Sequence, residues 1–452
     1  MMTRNPEEAM KIAGLLKRQT PQLDSGELRS FVSSFIDRRQ SFLETVLKHG
    51  SPLYVLDEAA LLNRARQFKT AFASVLSSVK VFYAVKSNSH PAVARAVVRA
   101  GCGLDVSSGL ELGAALETDA EEIIFSGPGK MDSELHLAVQ NNQRVTVLMD
   151  SFGELQKLEK VAVGQGKSIR AGVRLTTDES GIWRKFGIPL SQLSRFFAEA
   201  DKCRHVELSG LQFHLSWNLN PDKYVVFIVS LGSALRGLER SYRQAIKFLD
   251  IGGGYWPPQG EWLQAAATPE GVLRQTLLQT SGNTSDHYKY ASVTIDDFAN
   301  HIAQALKKQI PDDMSYTVYT EPGRWLSNEA MHILLTVVDR KAADVIITDG
   351  GTHAVGWERF ESDYFPIINL SRPSLSEKEC LIAGSLCTPH DIWGYTCFGD
   401  DVQVGDVLLV PNQGAYTYSL RQNFIKPLPE VVELVNVESG VLLPSATRKP
   451  GS

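Results

Sequence analysis

The stretch Val79-Lys80-Val81-Phe82-Tyr83-Ala84-Val85-Lys86-Ser87-Asn88 joins an apolar run to a lysine. The run predicts a buried strand whose last residue is Lys86. A buried ammonium group is costly unless it is paired or used chemically, although a lysine can also extend its charged end into water. This stretch alone leaves both interpretations of Lys86 open.

Further apolar runs that suit buried strands follow this stretch at regular intervals. With the first, they lie at 79–86, 103–108, 121–126, 144–150, 168–175, 207–215, 247–252 and 316–321. Stretches of helical character lie between them, for example at 91–100, 109–118, 131–141, 152–162 and 222–245. Eight strands that alternate with helices predict a (β/α)₈ TIM barrel. An open doubly wound sheet would instead need a glycine-rich turn after the first strand, and Ser87-Asn88-Ser89-His90 is not one.

The sequence on either side of the barrel has a different character. Residues 1–50 predict a helical extension, and 51–75 predict a strand and a helix that lead into a barrel at 76–327. Residues 328–452 contain short alternating segments, which are typical of an antiparallel β-domain. These segments lie at 331–339, 343–349, 380–386, 402–410 and 415–420. The early strand at 52–56 has no place in the barrel, so we expect it to join the β-domain.

One segment within the barrel is unusually long. Residues 255–294 are rich in Pro, Gly, Thr and Ser and exceed the length of an ordinary loop. They predict an excursion near the barrel mouth.

Composition limits the class of protein. The chain has 452 residues, of which 43% are hydrophobic and 21% charged, as in an ordinary globular protein. A net charge of −5 gives no sign of a nucleic-acid partner, and no apolar run is long enough to predict a membrane span. Five cysteines without a CxxC pair argue against a disulfide framework or a structural zinc site. We therefore expect a cytoplasmic protein with reduced thiols and no metal.

Residues with chemical potential recur where the predicted barrel strands end. Lys86 ends the first strand, His214 the sixth and Glu321 the eighth, while Gly252–Gly254 follow the seventh. Each also has a structural interpretation, as a core histidine, a tight turn or the start of a helix. In a barrel, however, these strand ends share one mouth, and glycines there can approach an anion closely, with Arg324 nearby. A lysine, an anion cradle and a carboxylate together suit pyridoxal 5′-phosphate (PLP).

With these motifs in order, the chain resembles the barrel-type, or fold type III, PLP-dependent decarboxylases. This alanine-racemase-like family includes diaminopimelate, ornithine and arginine decarboxylases. The matching stretches are YAVKSN (83–88), DVSSGLE (105–111), FHLS (213–216), DIGGG (250–254), EPGR (321–324), GSLC (384–387) with Asp391, and GAYT (414–417). Each match is weak alone, but together they occur in the order found in the family.

The resemblance implies roles for these residues. Lys86 would hold PLP through a Schiff base, His214 would stack on its ring, and Glu321 would keep the pyridine nitrogen protonated. Around the ring and the lysine, the supporting residues would be Asp105, Glu111 and Arg174. The phosphate would be bound by Gly252, Gly253, Gly254, Arg324 and Tyr416.

The resemblance also implies that two subunits share each site. Cys387 would supply a proton near Cα after CO₂ leaves. In this family the cysteine belongs to the other subunit's site, which implies an obligate homodimer. On residue type alone, the usual interpretation of Cys387, one of five cysteines, is a small buried residue.

The chain departs from the family pattern at two positions that bear on the substrate. Thr388 stands where the family usually has an acidic residue for the distal amine of a basic substrate, although Asp391 does match. Trp217 replaces a serine that contacts phosphate, and Ser216, one position earlier, could substitute for it. These departures suggest a substrate larger or less cationic than lysine. Further tryptophans, which could line the mouth or simply pack under loops, are Trp183, Trp256, Trp325 and Trp393.

Three functional hypotheses follow. The first is decarboxylation of an amino acid related to diaminopimelate, ornithine or lysine, or of a larger amino-acid-bearing biosynthetic intermediate. The second is an amino-acid racemase of the same fold, but such racemases usually place arginine opposite the pyridine nitrogen, and Glu321 favours decarboxylation. The third is a non-catalytic relative, which we would expect to have lost the lysine or the phosphate contacts.

Overall fold

The computed structural model describes residue 10 and residues 20–269, 271–272, 287–356 and 362–435. Eight parallel strands close into a barrel in the order β11-β2-β3-β4-β5-β6-β7-β8. The barrel strands are β2 (Val79–Ala84), β3 (Gly103–Val106), β4 (Ile123–Phe125), β5 (Val145–Met149), β6 (Ile169–Arg174), β7 (Val206–Gln212), β8 (Phe248–Asp250) and β11 (Thr317–Thr320). This confirms the predicted (β/α)₈ barrel.

Helices follow the barrel strands and cover the outside of the barrel. Between the lead-in segment and the last strand, they span Glu58–Ala73, Pro91–Arg99, Gly109–Leu116, Asp132–Gln140, Phe152–Gln165, Leu193–Ala200, Asp222–Gly237, Arg240–Ala245 and Ile295–Gln309, and Arg324–Ser327 follows β11. Serine caps begin two of them, since Ser108 accepts the N–H of Glu111 and Ser151 accepts that of Glu154. Such caps set the helix start directly after the strand and so fix where the mouth residues lie.

Large side chains fill the inside of the barrel. Phe82, Ile124, Leu148 and Phe248 form one buried cluster. Gly210 leaves room for it, because a Cβ there would lie 2.0 Å from Cζ of Phe248. The interior is therefore packed, and functional groups belong at the mouth where the parallel strands end.

The strands end slightly earlier than the sequence predicted. β2 ends at Ala84, and Lys86 lies in a short 3₁₀ turn, Val85–Ser87. β7 ends at Gln212, two residues before His214, and β11 ends at Thr320, just before Glu321. The prediction that Lys86 and His214 are strand residues was therefore wrong. The chain bends at these points, so that both side chains follow the strands rather than belong to them.

A second sheet of eight strands forms the C-terminal domain. Its strands are β1 (Leu53–Leu56), β12 (Met331–Ala342), β13 (Val345–Thr348), β14 (Ile368–Asn369), β15 (Glu377–Ala383), β16 (Ile392–Phe398), β17 (Val407–Val410) and β18 (Glu430–Glu433). The order is β13-β15-β16-β14-β17-β12-β1-β18. β1 pairs antiparallel with β12 and parallel with β18, so the early strand lies in this sheet.

The β-domain differs in detail from the predicted antiparallel arrangement. Its pairings are mostly antiparallel, but β13–β15, β14–β16 and β1–β18 run parallel. The segment 415–420 is a turn with a 3₁₀ stretch at Tyr418–Leu420 rather than a strand, and sequence analysis missed β16. The predicted domain boundaries at 50/51, 75/76 and 327/328 stay predictions.

The N-terminal helices cover one face of the second sheet. Ser25–Ile36 and Arg39–His49 bury Leu28, Val32 and Phe42 in a cluster that includes residues of the sheet. Burying this apolar stripe is the main reason that the helices stay on the sheet.

The long excursion contains a two-stranded ribbon of β9 (Glu261–Leu263) and β10 (Tyr288–Tyr290). Residues 270 and 273–286 of the predicted excursion lie outside the described residues. Within the described part of the chain, none of the helices combines the length and the apolar character needed to cross a membrane.

Candidate active site

Lys86 lies at the junction of the barrel and the β-domain. The main-chain oxygen of Ser87 accepts the N–H of Tyr416 at 2.7 Å, and Asn88 Nδ2 donates to the oxygen of Gly414 at 2.9 Å. Gly414 is needed because a Cβ there would lie 1.6 Å from the oxygen of Ser327. The GAYT turn therefore docks against the lysine turn, which brings Tyr416 to a mouth built mainly from barrel residues.

The Lys86 ammonium faces buried carboxylates. Its Nζ lies 3.5 Å from Oδ2 of Asp105, which is fully buried and accepts the Ser126 hydroxyl at 2.5 Å through Oδ1. Burial alone would lower the pKa of Lys86, but the charges of Asp105 and Glu321 raise it above its usual value. Burial, together with Glu321, raises the pKa of Asp105. Burial raises the pKa of Glu111, while the N–H of Ser107, which its carboxylate accepts at 2.7 Å, and the charge of Lys86 oppose the rise.

Glu321 and His214 form a second group beside the lysine. Glu321 is 1% exposed, and its Oε2 lies 3.4 Å from Nδ1 of His214. His214 Nδ1 also accepts the N–H of Gly253 at 3.1 Å, which places the proton of the neutral ring on Nε2. Burial lowers the pKa of His214 to about 4, so the ring is neutral at pH 7. Although burial opposes it, the charge of Lys86 lowers the pKa of Glu321.

The three glycines of the DIGGG stretch form a tight loop that side chains could not enter. Gly252 and Gly254 have φ of +69° and +95°, and a Cβ on Gly254 would lie 1.8 Å from the oxygen of Leu215. The N–H of Gly252 is bound by Asp250 and that of Gly253 by His214. These two glycines therefore shape the cradle, and their contact with a phosphate stays a prediction.

Cations lie close to this cradle. The Arg324 guanidinium sits 4.6 Å from the ring centre of Trp256 and 5.0 Å from that of Tyr416. Arg174 is largely buried, and its guanidinium lies 4.3 Å from the ring centre of Phe186. Aromatic faces hold both guanidinium groups in fixed positions without neutralising their charge.

The residues present fit PLP. A glycine cradle beside Arg324 suits a phosphate group, and Lys86 suits attachment of an aldehyde carbon. Gln212 Oε1 is buried without a hydrogen-bond partner among the described residues, and Asp105 Oδ2 has the Lys86 ammonium at 3.5 Å but no hydrogen bond. An unsatisfied buried oxygen beside Glu321 indicates a mouth arranged for a polar ligand.

The family comparison decides the identity of this site. Residues 58–328 match the family model described as pyridoxal-dependent decarboxylase, pyridoxal binding domain. The chain belongs to the pyridoxal-dependent decarboxylase family. Its cofactor is PLP, and the family resemblance is confirmed.

Individual relatives of this decarboxylase are distant but align over most of their length. An L-glutamyl-[BtrI acyl-carrier protein] decarboxylase of Niallia circulans is 26% identical over 85% of this chain and 88% of the relative. A diaminopimelate decarboxylase of Bacillus subtilis is 27% identical over 88% and 90%. The crystal structure of diaminopimelate decarboxylase from Helicobacter pylori complexed with L-lysine has a TM-score of 0.69 at 21% identity over 87% and 94%, which shows the shared fold.

The cysteine loop of this decarboxylase projects from the β-domain. Cys387 is exposed, and Thr388 next to it is half-buried. Asp391 is 2% exposed and accepts the N–H groups of Thr352 and Leu386, both at 2.7 Å. Asp391 therefore holds the loop in shape, and the prediction that it contacts substrate directly was wrong, because both oxygens already have internal partners.

The tryptophans divide between packing and the mouth. Trp325 and Trp393 are buried, the first against Phe68 and the second with its Nε1 donating to the oxygen of Gly350. Trp217 is 71% exposed with φ of +57°, whereas Trp256 stacks on Arg324. Trp183 and Ser216 are half-buried in loops after β6 and β7. Trp325 and Trp393 are therefore packing residues, and Trp183, Trp217 and Trp256 remain candidates for the aromatic mouth predicted from sequence.

Sequence reasoning missed several residues that shape the site. Gln212 donates toward both oxygens of Glu321, and Tyr224 donates to the oxygen of Gly253. The Asp250 carboxylate accepts the N–H of Gly252 at 2.9 Å and so supports the glycine loop. A detectable signal existed only for Asp250, an acidic residue within an otherwise apolar run before the glycines.

Proposed function

We propose that this enzyme decarboxylates an amino acid that forms part of a larger, non-cationic intermediate. The observation that carries the proposal is the side chain next to Cys387, which is the uncharged Thr388. In the family this position usually holds the acid that pairs with a basic substrate. The next acid along, Asp391, is engaged by Thr352 and Leu386, so no carboxylate of this loop is free to take that role.

The names of the relatives support decarboxylation of an amino acid, and one of them supports a larger intermediate. The diaminopimelate decarboxylase acts on a free amino acid, whereas the other relative acts on a glutamyl group carried by an acyl-carrier protein. The exposed Trp217 after β7 and the 85% exposed Ile182 after β6 add apolar surface at the mouth. Such surface suits a substrate with an extended uncharged tail better than a second ammonium group.

The chain's own residues can perform the steps that decarboxylation requires. When bound, PLP supplies a ring that withdraws electrons from Cα, which favours loss of CO₂. Lys86 would hold PLP and give it up to the substrate amine. Glu321, kept ionised, would stabilise positive charge on the ring, and the neutral His214 would offer a flat face for stacking. Arg324, with Tyr416 and the glycine loop, would bind the phosphate, while Asp105, Glu111 and Arg174 would set the charge around Lys86.

We propose further that Cys387 completes the site of a second subunit. Its exposure on the β-domain supports a role across an interface, where it would return a proton to Cα. The enzyme would then be a homodimer with shared active sites. All five cysteines are free thiols, which supports a reducing, cytoplasmic location.

A substrate panel with a matched variant tests the substrate proposal. The purified enzyme is given the L- and D-forms of lysine and ornithine, meso-diaminopimelate and side-chain-acylated diamino acids, and CO₂ and amine are measured together. We expect turnover of an acylated substrate and little of the free basic amino acids. Thr388→Glu should shift the preference toward free lysine or diaminopimelate, whereas Thr388→Ser serves as the control. Efficient wild-type turnover of a free basic amino acid would refute the proposed substrate class, and inversion without CO₂ would instead support a racemase.

Mixing of inactive variants tests the shared site. Lys86→Ala and Cys387→Ala should each be weakly active alone, and their mixture should regain up to about a quarter of wild-type activity if subunits exchange freely. Cys387→Ala alone should also change the product profile through faulty protonation. A mixture no more active than its parts, although subunits demonstrably exchange, would place Cys387 outside the partner's site.

A further inference from the structure

Asp250 is a buried acid that the chemistry above does not use. It ends β8 directly below the glycine loop and is 0% exposed. Its Oδ1 accepts the N–H of Gly252 at 2.9 Å, while no N–H or O–H of the described residues donates to Oδ2. A fully buried carboxylate with one partner is costly unless it is neutral.

The nearest polar neighbour of Asp250 is a second acid. Gly252 joins the two residues, because its N–H donates to Asp250 Oδ1 and its oxygen accepts the N–H of Glu321, each at 2.9 Å, and the Glu321 carboxyl group acts on the pKa of Asp250 at hydrogen-bonding range. Two carboxyl groups can hydrogen-bond only when one of them carries a proton. The pair therefore holds at least one proton, as in other buried pairs of acids.

The surroundings indicate which acid carries that proton. Glu321 lies near the Lys86 ammonium, and the Gln212 amide donates toward its two oxygens at 3.4 and 3.5 Å; both groups favour its ionised form. In the described part of the chain, no cation forms an ion pair with Asp250. Burial, followed by the charge of Glu321, raises the pKa of Asp250 well above the usual range. The other titratable groups near the pair are Asp105, Tyr224, Tyr255 and Tyr319.

We propose that Asp250 is a positioning residue that stays protonated at neutral pH and donates a hydrogen bond to Glu321. Through this bond it holds the Glu321 carboxylate ionised and oriented for the cofactor ring nitrogen. Through Oδ1 it holds Gly252, so the same side chain links the ring site to the phosphate cradle. The link is reinforced because the N–H of Glu321 donates to the oxygen of Gly252 at 2.9 Å.

The Asn variant separates this proposal from a simple structural role. In Asp250→Asn, the amide can still donate to Glu321 and its oxygen can still accept from Gly252. We therefore expect its PLP dissociation constant to stay within about threefold of wild type. Asp250→Ala lacks the donor and should bind PLP roughly 10- to 100-fold more weakly, the usual value for a hydrogen bond to a charged group. In Asp250→Ala the pKa of Glu321 would rise. As the pH is lowered, this variant should therefore lose PLP binding at a higher pH than wild type does.

Infrared spectroscopy tests the proton directly on the cofactor-free protein. At about pH 8, wild type minus Asp250→Asn should show the carbonyl band of a protonated carboxylic acid. Asp150→Asn is the matched control, because Asp150 is also buried at a barrel strand end, accepts a glycine N–H from Gly187 and has a buried Oδ2 without a partner. Unlike Asp250, Asp150 lies beside a carboxylate that is already paired with a cation, in the Lys130–Glu154 ion pair.

The outcomes are distinct. Near-normal PLP affinity in Asp250→Asn together with loss of the band supports the proposal. Equal loss of affinity in the Asn and Ala variants, or a band unchanged by Asp250→Asn, overturns it. If Asp250→Ala does not fold, the PLP affinity and the infrared spectrum of Asp250→Asn still test the proposal. None of these readouts depends on which substrate the enzyme uses.

Discussion

Lys86 and Lys130 both follow a barrel strand at the same mouth, but their ammonium groups have opposite surroundings. Lys130 Nζ donates to the oxygens of Gly127 and Leu148, each at 2.7 Å, and to Glu154 at 2.6 Å. Lys86 Nζ has a single carboxylate at 3.5 Å. The side chains are 2% and 36% exposed, respectively.

The difference separates a structural lysine from a reactive one. Lys130 uses all three N–H donors on fixed acceptors, so it can leave its place only at a high energetic cost. The negative charge of nearby carboxylates attracts the Lys86 ammonium, but among the described residues no short hydrogen bond fixes it. That arrangement leaves the amine able to form and exchange bonds, which satisfied hydrogen bonds would prevent.

The largest effect is expected at Lys86. Lys86→Ala should lower turnover by at least ~10³-fold, because a covalently acting group is lost. It should also abolish the visible absorbance of lysine-attached PLP. Measurement combines steady-state CO₂ release with the absorbance of protein titrated with PLP. A variant that keeps both signals would remove the distinction between the two lysines.

Lys130 should instead govern stability. Lys130→Met leaves Glu154 buried without its cation and should reduce the free energy of unfolding by about 3–5 kcal/mol. Urea unfolding followed by circular dichroism measures the loss. The fraction that remains folded should still acquire lysine-attached PLP. If stability is unchanged and PLP attachment fails, Lys130 belongs to the reactive site.

Acid should destabilise the active site and spare the Lys130 network. Burial lowers the pKa of His214 to about 4, below its ordinary 6.5, so the folded protein binds fewer protons than the unfolded chain between these values. Its contribution to stability is therefore lost as the pH falls below 6.5, by about 2 kcal/mol at pH 4.5. His214→Gln should show that much less acid sensitivity in urea unfolding of the cofactor-free protein.

Glu154→Gln is the control for this comparison. Burial raises the pKa of Glu154, so its folded form takes up protons more readily and acid does not weaken it. This variant should keep the full acid sensitivity of wild type. Equal pH profiles for wild type and His214→Gln would contradict the assignment to His214.

The smallest effect concerns the partner of Lys130. Adding Glu154→Gln to Lys130→Met should restore about 1–2 kcal/mol of the lost stability, because the lone buried charge disappears while the acceptor for the N–H of Asp150 remains. A double variant no more stable than Lys130→Met would mean that the lost hydrogen bonds to Gly127 and Leu148, rather than the unpaired charge, cause the destabilisation.

Much of the architecture was predictable because it depends on local patterns. Buried parallel strands require long apolar runs, so the barrel could be found by counting them. Order along the chain then placed Lys86, His214, Gly252–Gly254 and Glu321 at one mouth. The segment 415–420 was misassigned because its alternating residues form a docking turn, whose shape depends on contacts with Ser87 and Ser89.

The sequence by itself determined the barrel, the attached β-domain and the residue types of a PLP site, since periodicity and motif order are properties of the chain. Only the tertiary structure decided how each charge is used. Asp391 proved to be an internal support, Lys130 a satisfied ion pair and Asp250 a buried acid that binds the N–H of Gly252. The physical reason is that hydrogen bonding and burial, which set the protonation and freedom of a side chain, come from residues far apart in sequence. Lys86 and Lys130 look alike in the chain, and their neighbours in space make them different.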